Sequence, residues 1–163
     1  MDSQAVHMRS RSTCNTRRIA AAFSLAAKVA RSDVFGEDND RWLPKNHQDD
    51  ARLPFLGYVG ADFRPGGIVL MAINPGGGRD KYKKTKEDER LCPALERLRD
   101  SSSQTAAIAA EDVFKNYIEV LPTWNLWRSV NPVLNATSTD INSIAFLNAV
   151  PFRTKGDDTA FFK

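Results

Sequence analysis

The chain has 163 residues, 42% of them hydrophobic, which is enough for one domain with its own core. Its formal net charge of +3 is mildly basic and permits a polyanionic partner without requiring one. No apolar run approaches the roughly 18 residues that span a bilayer, so we expect a cytoplasmic protein without a membrane segment. Its two cysteines, Cys14 and Cys92, lie far apart and have no metal-ligand spacing, so we expect no metal and no disulfide.

The amino-terminal part divides into a tail and a helix. Residues 1–15 are polar and basic, and we predict that they are disordered, so that the single domain covers residues 16–163. Apolar residues then recur at helical spacing, which predicts a helix over about residues 16–31 that packs one face on the sheet. The stretch Met8–Arg31 contains no acidic residue, a feature shared with organelle transit peptides. We favour the amphipathic helix over this targeting role.

A strand followed by glycines is the most informative part of the chain. We predict a surface connection over Ser32–Asp50 and a short extended arm over Leu53–Phe63. In the next segment, Ile68–Ile73, every residue is apolar. A run without polar alternation predicts a strand that is buried on both faces of a parallel sheet. Asn74, a proline and the glycines Gly76–Gly78 follow, and glycines let the backbone approach a ligand closely. Ligands bind at such carboxyl ends in open α/β sheets, so this segment is a predicted site.

Three helical patterns follow this strand. The charged stretch Arg79–Arg90 is interpreted mainly as a solvated loop and helix face, and a helical pattern continues through Leu98. Thr105 is placed to cap a second, strongly amphipathic helix. A third element, Trp124–Val130, carries two tryptophans on one face, and Pro132 is expected to limit its length.

A second apolar strand is predicted over Ile144–Val150, with Asn148 near its carboxyl end. Each of the two strands thus ends in an asparagine that is followed within a few residues by a proline, and we expect both amides to face the same crevice. An asparagine supplies one acceptor and two donors, which suits it to read the edge of a heterocycle or to hold a water. The alternative is that Asn74 is a turn residue before Pro75, and that Asn148 is a buried amide satisfied by the backbone. Together these patterns predict an α/β domain with a parallel sheet.

Both strand ends resemble motifs of one enzyme superfamily. The segment Ala72–Gly77, which reads Ala-Ile-Asn-Pro-Gly-Gly, resembles the first motif of the uracil-DNA glycosylase superfamily. The likeness is nearest to the mismatch-specific and thymine-DNA glycosylase branch, where Gly-Ile-Asn-Pro-Gly is typical. The segment Phe146–Arg153 is similar to the strand of the same superfamily that ends in the base-reading asparagine. The resemblance implies a uracil-DNA glycosylase-like α/β fold of three layers, α/β/α, with a small central parallel sheet. It also implies a protein that acts on DNA without a cofactor. We expect a monomer.

The resemblance also implies a role for each matched residue. Asn74 corresponds to the residue that positions the hydrolytic water, so it is the predicted catalytic residue. A flipped-out base would be held by its Watson–Crick edge while this water attacks the sugar carbon. The predicted base-binding residues are Asn148, Pro75, Gly76, Gly77 and Tyr82. Tyr82 is the nearest candidate for the aromatic that stacks on the base, and Trp124 is the next.

Cations beside the two motifs are the predicted contacts to DNA phosphates. They are Lys81, Lys83, Arg153 and Lys155. Members of the superfamily also present a histidine in a His-Pro-Ser-like motif near the carboxyl end, whereas His7 and His47 both precede the first motif here. We therefore expect the domain to lack its carboxyl-terminal part.

Three functions remain open on the sequence. The first is hydrolysis of the N-glycosidic bond of uracil or a related damaged base in DNA. The second is a non-catalytic relative that binds nucleic acid and has lost activity. The third is a nucleotide or phosphate-ester enzyme that uses the glycine loop as an anion cradle, although the loop has neither the P-loop nor the dinucleotide-binding order of glycines.

Overall fold

The computed structural model describes residues 17–37, 52–73, 75 and 85–154. The helices in these ranges are α1 (17–26), α2 (Arg31–Phe35), α3 (Lys86–Arg99), α4 (Ala106–Val120) and α5 (Trp127–Ala136). The strands are β1 (Gly57–Val59), β2 (Val69–Ala72) and β3 (Ala145–Asn148). Short 3-10 turns cover Leu121–Thr123 and Ile141–Ser143. The class is therefore α/β, as predicted.

The sheet has three strands in the order β1-β3-β2, and it is mixed rather than parallel. Strand β2 runs parallel to β3, with Leu70 opposite Phe146. The connection between these two strands contains α3, α4 and α5, as a parallel crossover requires. Strand β1 runs antiparallel to β3, with Tyr58 opposite Phe146. The prediction of a parallel sheet is correct for the two motif strands and wrong for the edge strand formed by the Leu53–Phe63 arm.

The core lies between one face of the sheet and helices α3 and α4. Tyr58 of β1 and Phe146 of β3 are nearly fully buried, and the rings of Tyr58 and Tyr117 of α4 stack with centroids 6.4 Å apart. Helix α3 adds a row of leucines whose spacing places them on one helical face. These buried leucines are Leu91, Leu95 and Leu98. The amphipathic pattern of both helices thus corresponds to the buried faces that the structure shows.

Helix α1 packs on α4 and on the connection between α3 and α4. The Phe23 ring meets Phe114 of α4 edge-on, with centroids 4.8 Å apart. The Ser24 hydroxyl hydrogen bonds to Ser101, in the connection between α3 and α4, at 3.1 Å. The helix also ends at residue 26, earlier than predicted, and α2 begins separately at Arg31. The helical spacing predicted this helix, although not where it ends.

Helix α5 passes through Pro132, which was expected to limit it. The helix covers Trp127–Ala136, so Trp124 precedes it and the proline is internal. A proline at this position removes one backbone N–H donor. Burial of Val130 and Leu134 stabilises the helix despite the missing hydrogen bond, because packing of an apolar face contributes more to helix stability than local propensity does.

Strand β2 is an exposed edge strand, so the prediction that it is buried on both faces is wrong. Val69 and Met71 are 50% and 67% exposed, and Ile73, which follows the strand, is 52% exposed. Leu70 and Ala72 face the other way and pack against the core. In the described ranges no third layer covers the outer face of β2. A continuous apolar run shows that both faces of a strand are apolar. Whether each face is buried depends on which elements of the fold pack against it.

Truncating the Met71 side chain should therefore have little effect on the free energy of unfolding. We expect Met71→Ala to lower the free energy of unfolding by less than about 1 kcal/mol, because its side chain is already largely in water. The same truncation in the core, Leu95→Ala, should cost about 2–5 kcal/mol, because Leu95 is 0% exposed. Urea unfolding of the two variants measures the difference. Equal costs would mean that the outer face of β2 is covered.

Among the described helices, none combines the length and the apolar character that crossing a membrane requires.

Candidate active-site edge of the sheet

The two motif strands end side by side at one edge of the sheet. Ala72, the last residue of β2, lies opposite Asn148, the last residue of β3. The pairing continues past the strands, because the Ala149 N–H donates to the Ala72 carbonyl at 2.8 Å and the Val150 N–H to the Ile73 carbonyl at 2.7 Å. The end of β2 and the following Ile73 therefore lie next to the end of β3. The expectation that the Asn74 and Asn148 amides face the same crevice stays a prediction, because Asn74 lies outside the described residues.

The Asn148 side chain is partly buried and hydrogen bonds to the segment before β1. Its Nδ2 donates to the Phe55 carbonyl at 2.6 Å, and its backbone N–H donates to the Leu56 carbonyl at 3.1 Å. This contact agrees with the alternative that Asn148 is an amide satisfied by the backbone. It uses one of the two Nδ2 hydrogens, so the second hydrogen and the Oδ1 acceptor are not consumed by it.

Most of the other predicted site residues lie outside the described ranges. These are Asn74, Gly76, Gly77, Lys81, Tyr82, Lys83 and Lys155. Pro75 is described and is buried. Trp124, the second candidate for the stacking aromatic, packs in the core, where its ring meets those of Tyr117 and Phe146 at centroid distances of 6.1 and 6.3 Å. Its position is that of a core residue rather than of a base-stacking one.

Arg153 is a buried residue, so its predicted role in holding a DNA phosphate is wrong in this structure. It is 6% exposed, and its guanidinium forms an ion pair with Asp88, which is 1% exposed, at 2.5 Å. The guanidinium also lies over the Phe55 ring, 4.5 Å from its centroid. A guanidinium that has left water in this way is held by its carboxylate and cannot reach a phosphate on the surface.

Asp88 connects the start of α3 to the turn after β3, and the sequence did not single it out. Its carboxylate accepts the backbone N–H of Thr85 at 3.0 Å, while the Thr85 hydroxyl accepts the Asp88 N–H at 3.3 Å. This reciprocal capping box begins the helix. The Thr-x-x-Asp spacing was a readable signal for the cap. Nothing local signalled the partnership with Arg153, which is 65 residues away.

Tyr117 of α4 is a buried tyrosine near Asp88 and Arg153. Burial raises the pKa of the Tyr117 hydroxyl well above its usual range, an effect that the nearby Gly57 backbone and Arg153 oppose and that Cys92 and Asp88 reinforce. The hydroxyl is therefore neutral at physiological pH. Within the described part of the chain, it has no hydrogen-bond partner of acceptable distance and angle.

No protein-family model, no curated protein and no solved structure matches this chain. The likeness to the uracil-DNA glycosylases therefore rests on the two short sequence motifs alone.

Proposed function

We propose that this protein is a DNA glycosylase that hydrolyses the N-glycosidic bond of uracil or a related damaged base. The observation that carries the proposal is the parallel pairing of β2 and β3, with Ala72 opposite Asn148. It supports the proposal because the two segments that resemble the glycosylase motifs leave the sheet together, at the edge where open α/β sheets bind ligands.

The proposed chemistry needs orientation more than acid or base strength. Breaking the bond moves negative charge onto the departing base and leaves an oxocarbenium-like sugar. Backbone N–H donors of the Pro75–Gly78 segment would stabilise the charge on the base. Asn74 would orient the attacking water, since an amide cannot accept its proton as a carboxylate does. We therefore expect slow turnover.

Asn148 would read the base with the groups that its contact to Phe55 leaves available. The hydrogen bond from Nδ2 to the Phe55 carbonyl holds the plane of the amide in place. Oδ1 and the second Nδ2 hydrogen form a donor–acceptor pair that matches the N3–H and O4 edge of uracil. In this arrangement the Phe55 carbonyl orients Asn148, and Asn148 selects the base.

Release of uracil from a uracil-containing oligonucleotide tests the proposal. We expect activity in the unaltered protein and a loss of about 100-fold or more in Asn74→Ala and in Asn148→Ala, because each removes an oriented polar group at the reacting base. The matched control is Asn116→Ala, whose amide bonds to Asp112 on the same helix, α4. It should retain full activity.

Thermal unfolding of each variant separates loss of activity from loss of folding, since Asn148→Ala also removes the bond to Phe55. The proposal would be contradicted if the unaltered protein released no base. It would also be contradicted if Asn74→Ala and Asn148→Ala both released the base at the normal rate.

A second candidate is a non-catalytic relative that binds DNA. The contact between Asn148 and the Phe55 carbonyl favours it, because this amide is already engaged with the protein backbone. Salt-dependent binding of DNA without base release at any enzyme concentration would select this function over the first.

A further inference from the structure

The buried Asp88 carboxylate contacts residues that follow both motifs. Its Oδ2 accepts the backbone N–H of Thr85 at 3.0 Å, and its Oδ1 pairs with the Arg153 guanidinium at 2.5 Å. Thr85 begins the described part of the chain that follows the glycine segment, and Arg153 lies in the turn that follows β3. One side chain therefore joins the start of α3 to the end of the second motif.

The Arg153 guanidinium in turn restrains Phe55. It lies over the Phe55 ring, 4.5 Å from the ring centroid. A planar guanidinium stacks on an aromatic face, and this contact is strongest where both groups have left water. Both residues are buried here. The Phe55 ring is therefore held by the same guanidinium that Asp88 fixes.

The Phe55 backbone is bonded to the second motif through both of its polar groups. Its N–H donates to the Pro151 carbonyl at 2.6 Å, and its carbonyl accepts from Asn148 Nδ2 at 2.6 Å. The next carbonyl, that of Leu56, accepts the Asn148 backbone N–H at 3.1 Å. With its ring under Arg153 and its backbone bonded in this way, Phe55 presents its carbonyl to the Asn148 amide in a fixed place.

Arg153 is held through its backbone as well as through its side chain. The Arg31 guanidinium of α2 donates to the Arg153 carbonyl at 2.6 Å. Arg31 is itself buried, and its guanidinium lies 4.5 Å from the centroid of the Phe35 ring and 5.9 Å from that of Phe152. A side chain whose rotamer is locked by packing and by hydrogen bonds in this way can hold its neighbours to a single geometry.

We propose that Asp88 and Arg153 are positioning residues for the base-reading amide of Asn148, and that they act through the ring and the carbonyl of Phe55. The link to a base rests on the proposed function, whereas the restraint on the amide follows from the contacts alone. An amide that turns exchanges the places of its donors and its acceptor, so a fixed plane preserves discrimination between bases. A buried ion pair often adds no stability relative to an apolar replacement. Positioning gives this pair a role that stability does not supply.

Nuclear magnetic resonance of the Asn148 side-chain amide tests the proposal without requiring activity, and the spectrum of Asn148→Ala assigns its signals. The test variant is Arg153→Lys, which keeps the positive charge and removes the planar group over Phe55. The matched control is Arg97→Lys, the same change in an exposed ion pair of α3. In the test variant, we expect the hydrogen bonded to the Phe55 carbonyl to exchange with water about fivefold faster or more, the factor that loss of one hydrogen bond gives. The control should leave this exchange rate unchanged.

A double-variant cycle tests the route through Phe55. Phe55→Leu removes the ring and keeps the carbonyl, so adding Arg153→Lys to it should change the Asn148 exchange rate by less than about twofold. A full second increase would overturn the proposal, and so would an unchanged Asn148 amide in Arg153→Lys.

Circular dichroism and thermal unfolding show which variants fold, and one measurement needs no variant. In the unaltered protein, the bonded hydrogen of Asn148 should exchange more slowly than the side-chain hydrogens of the exposed Asn125. Equal rates would mean that the Asn148 amide is not held, which would overturn the proposal.

Uracil release by the same variants distinguishes this proposal from the proposed activity. At a temperature where it is fully folded, Arg153→Lys should lower kcat on the order of 10–100-fold and change KM less, because the amide acts on the reacting base. Arg97→Lys should stay within about twofold. A loosened Asn148 amide in Arg153→Lys, in a protein that releases no base even when unaltered, would support the restraint on Asn148 and contradict glycosylase activity. A normal kcat despite a loosened amide would support the activity and overturn the positioning role.

Discussion

Replacing Arg153 with alanine is expected to destabilise the protein by about 3–5 kcal/mol, the usual cost of leaving one partner of a buried ion pair alone. Asp88, its partner, is 1% exposed, so its carboxylate would lose its counter-charge without gaining water. The Arg153 guanidinium also covers the Phe55 ring, and alanine would remove that packing. Urea unfolding followed by far-ultraviolet circular dichroism measures the change.

An exposed ion pair of the same chemistry is the control. Arg97 and Asp112 join α3 to α4, and their side chains are 59% and 38% exposed. Arg97→Ala should cost no more than about 1 kcal/mol, because water solvates the carboxylate that remains. The double variant Asp88→Asn with Arg153→Met should be more stable than Arg153→Ala, since it removes the isolated charge. If Arg153→Ala cost no more than Arg97→Ala, the burial of this pair would be contradicted.

Gly57→Ala is expected to destabilise the protein by about 3 kcal/mol or more, through a clash and through backbone strain together. Gly57 begins β1 with φ of 102°, in the region that favours glycine. A β-carbon built there would lie 1.9 Å from the Phe146 carbonyl oxygen of β3. Relief of this clash requires β1 to move away from β3, which breaks the ladder at Gly57 and Leu147.

Gly66→Ala separates the two causes. Gly66 has a similarly positive φ of 86°, but a β-carbon there would have nothing within 4 Å. It should cost only the strain, about 1–2 kcal/mol. The difference between the two variants in thermal or urea unfolding then measures the steric contact with β3. Equal costs would show that β1 does not approach β3 as closely as the structure describes.

The sequence alone was sufficient for the features that depend on local spacing. Periodic apolar residues identified α3 and α4, whose buried faces carry Leu91 and Val113, because a helix repeats every 3.6 residues whatever lies beside it. Apolar runs identified β2 and β3. The two motif strands were expected in one parallel sheet, and β2 and β3 do pair in parallel.

Only the tertiary structure decided which of these residues face solvent and which face one another. Strand β2 and Arg153 were both assigned the wrong exposure, because an apolar strand can lie at an edge and a cation can be buried once Asp88 meets it. Burial and charge pairing arise from contacts between distant parts of the chain. The spacing of residues along the sequence does not predict these contacts.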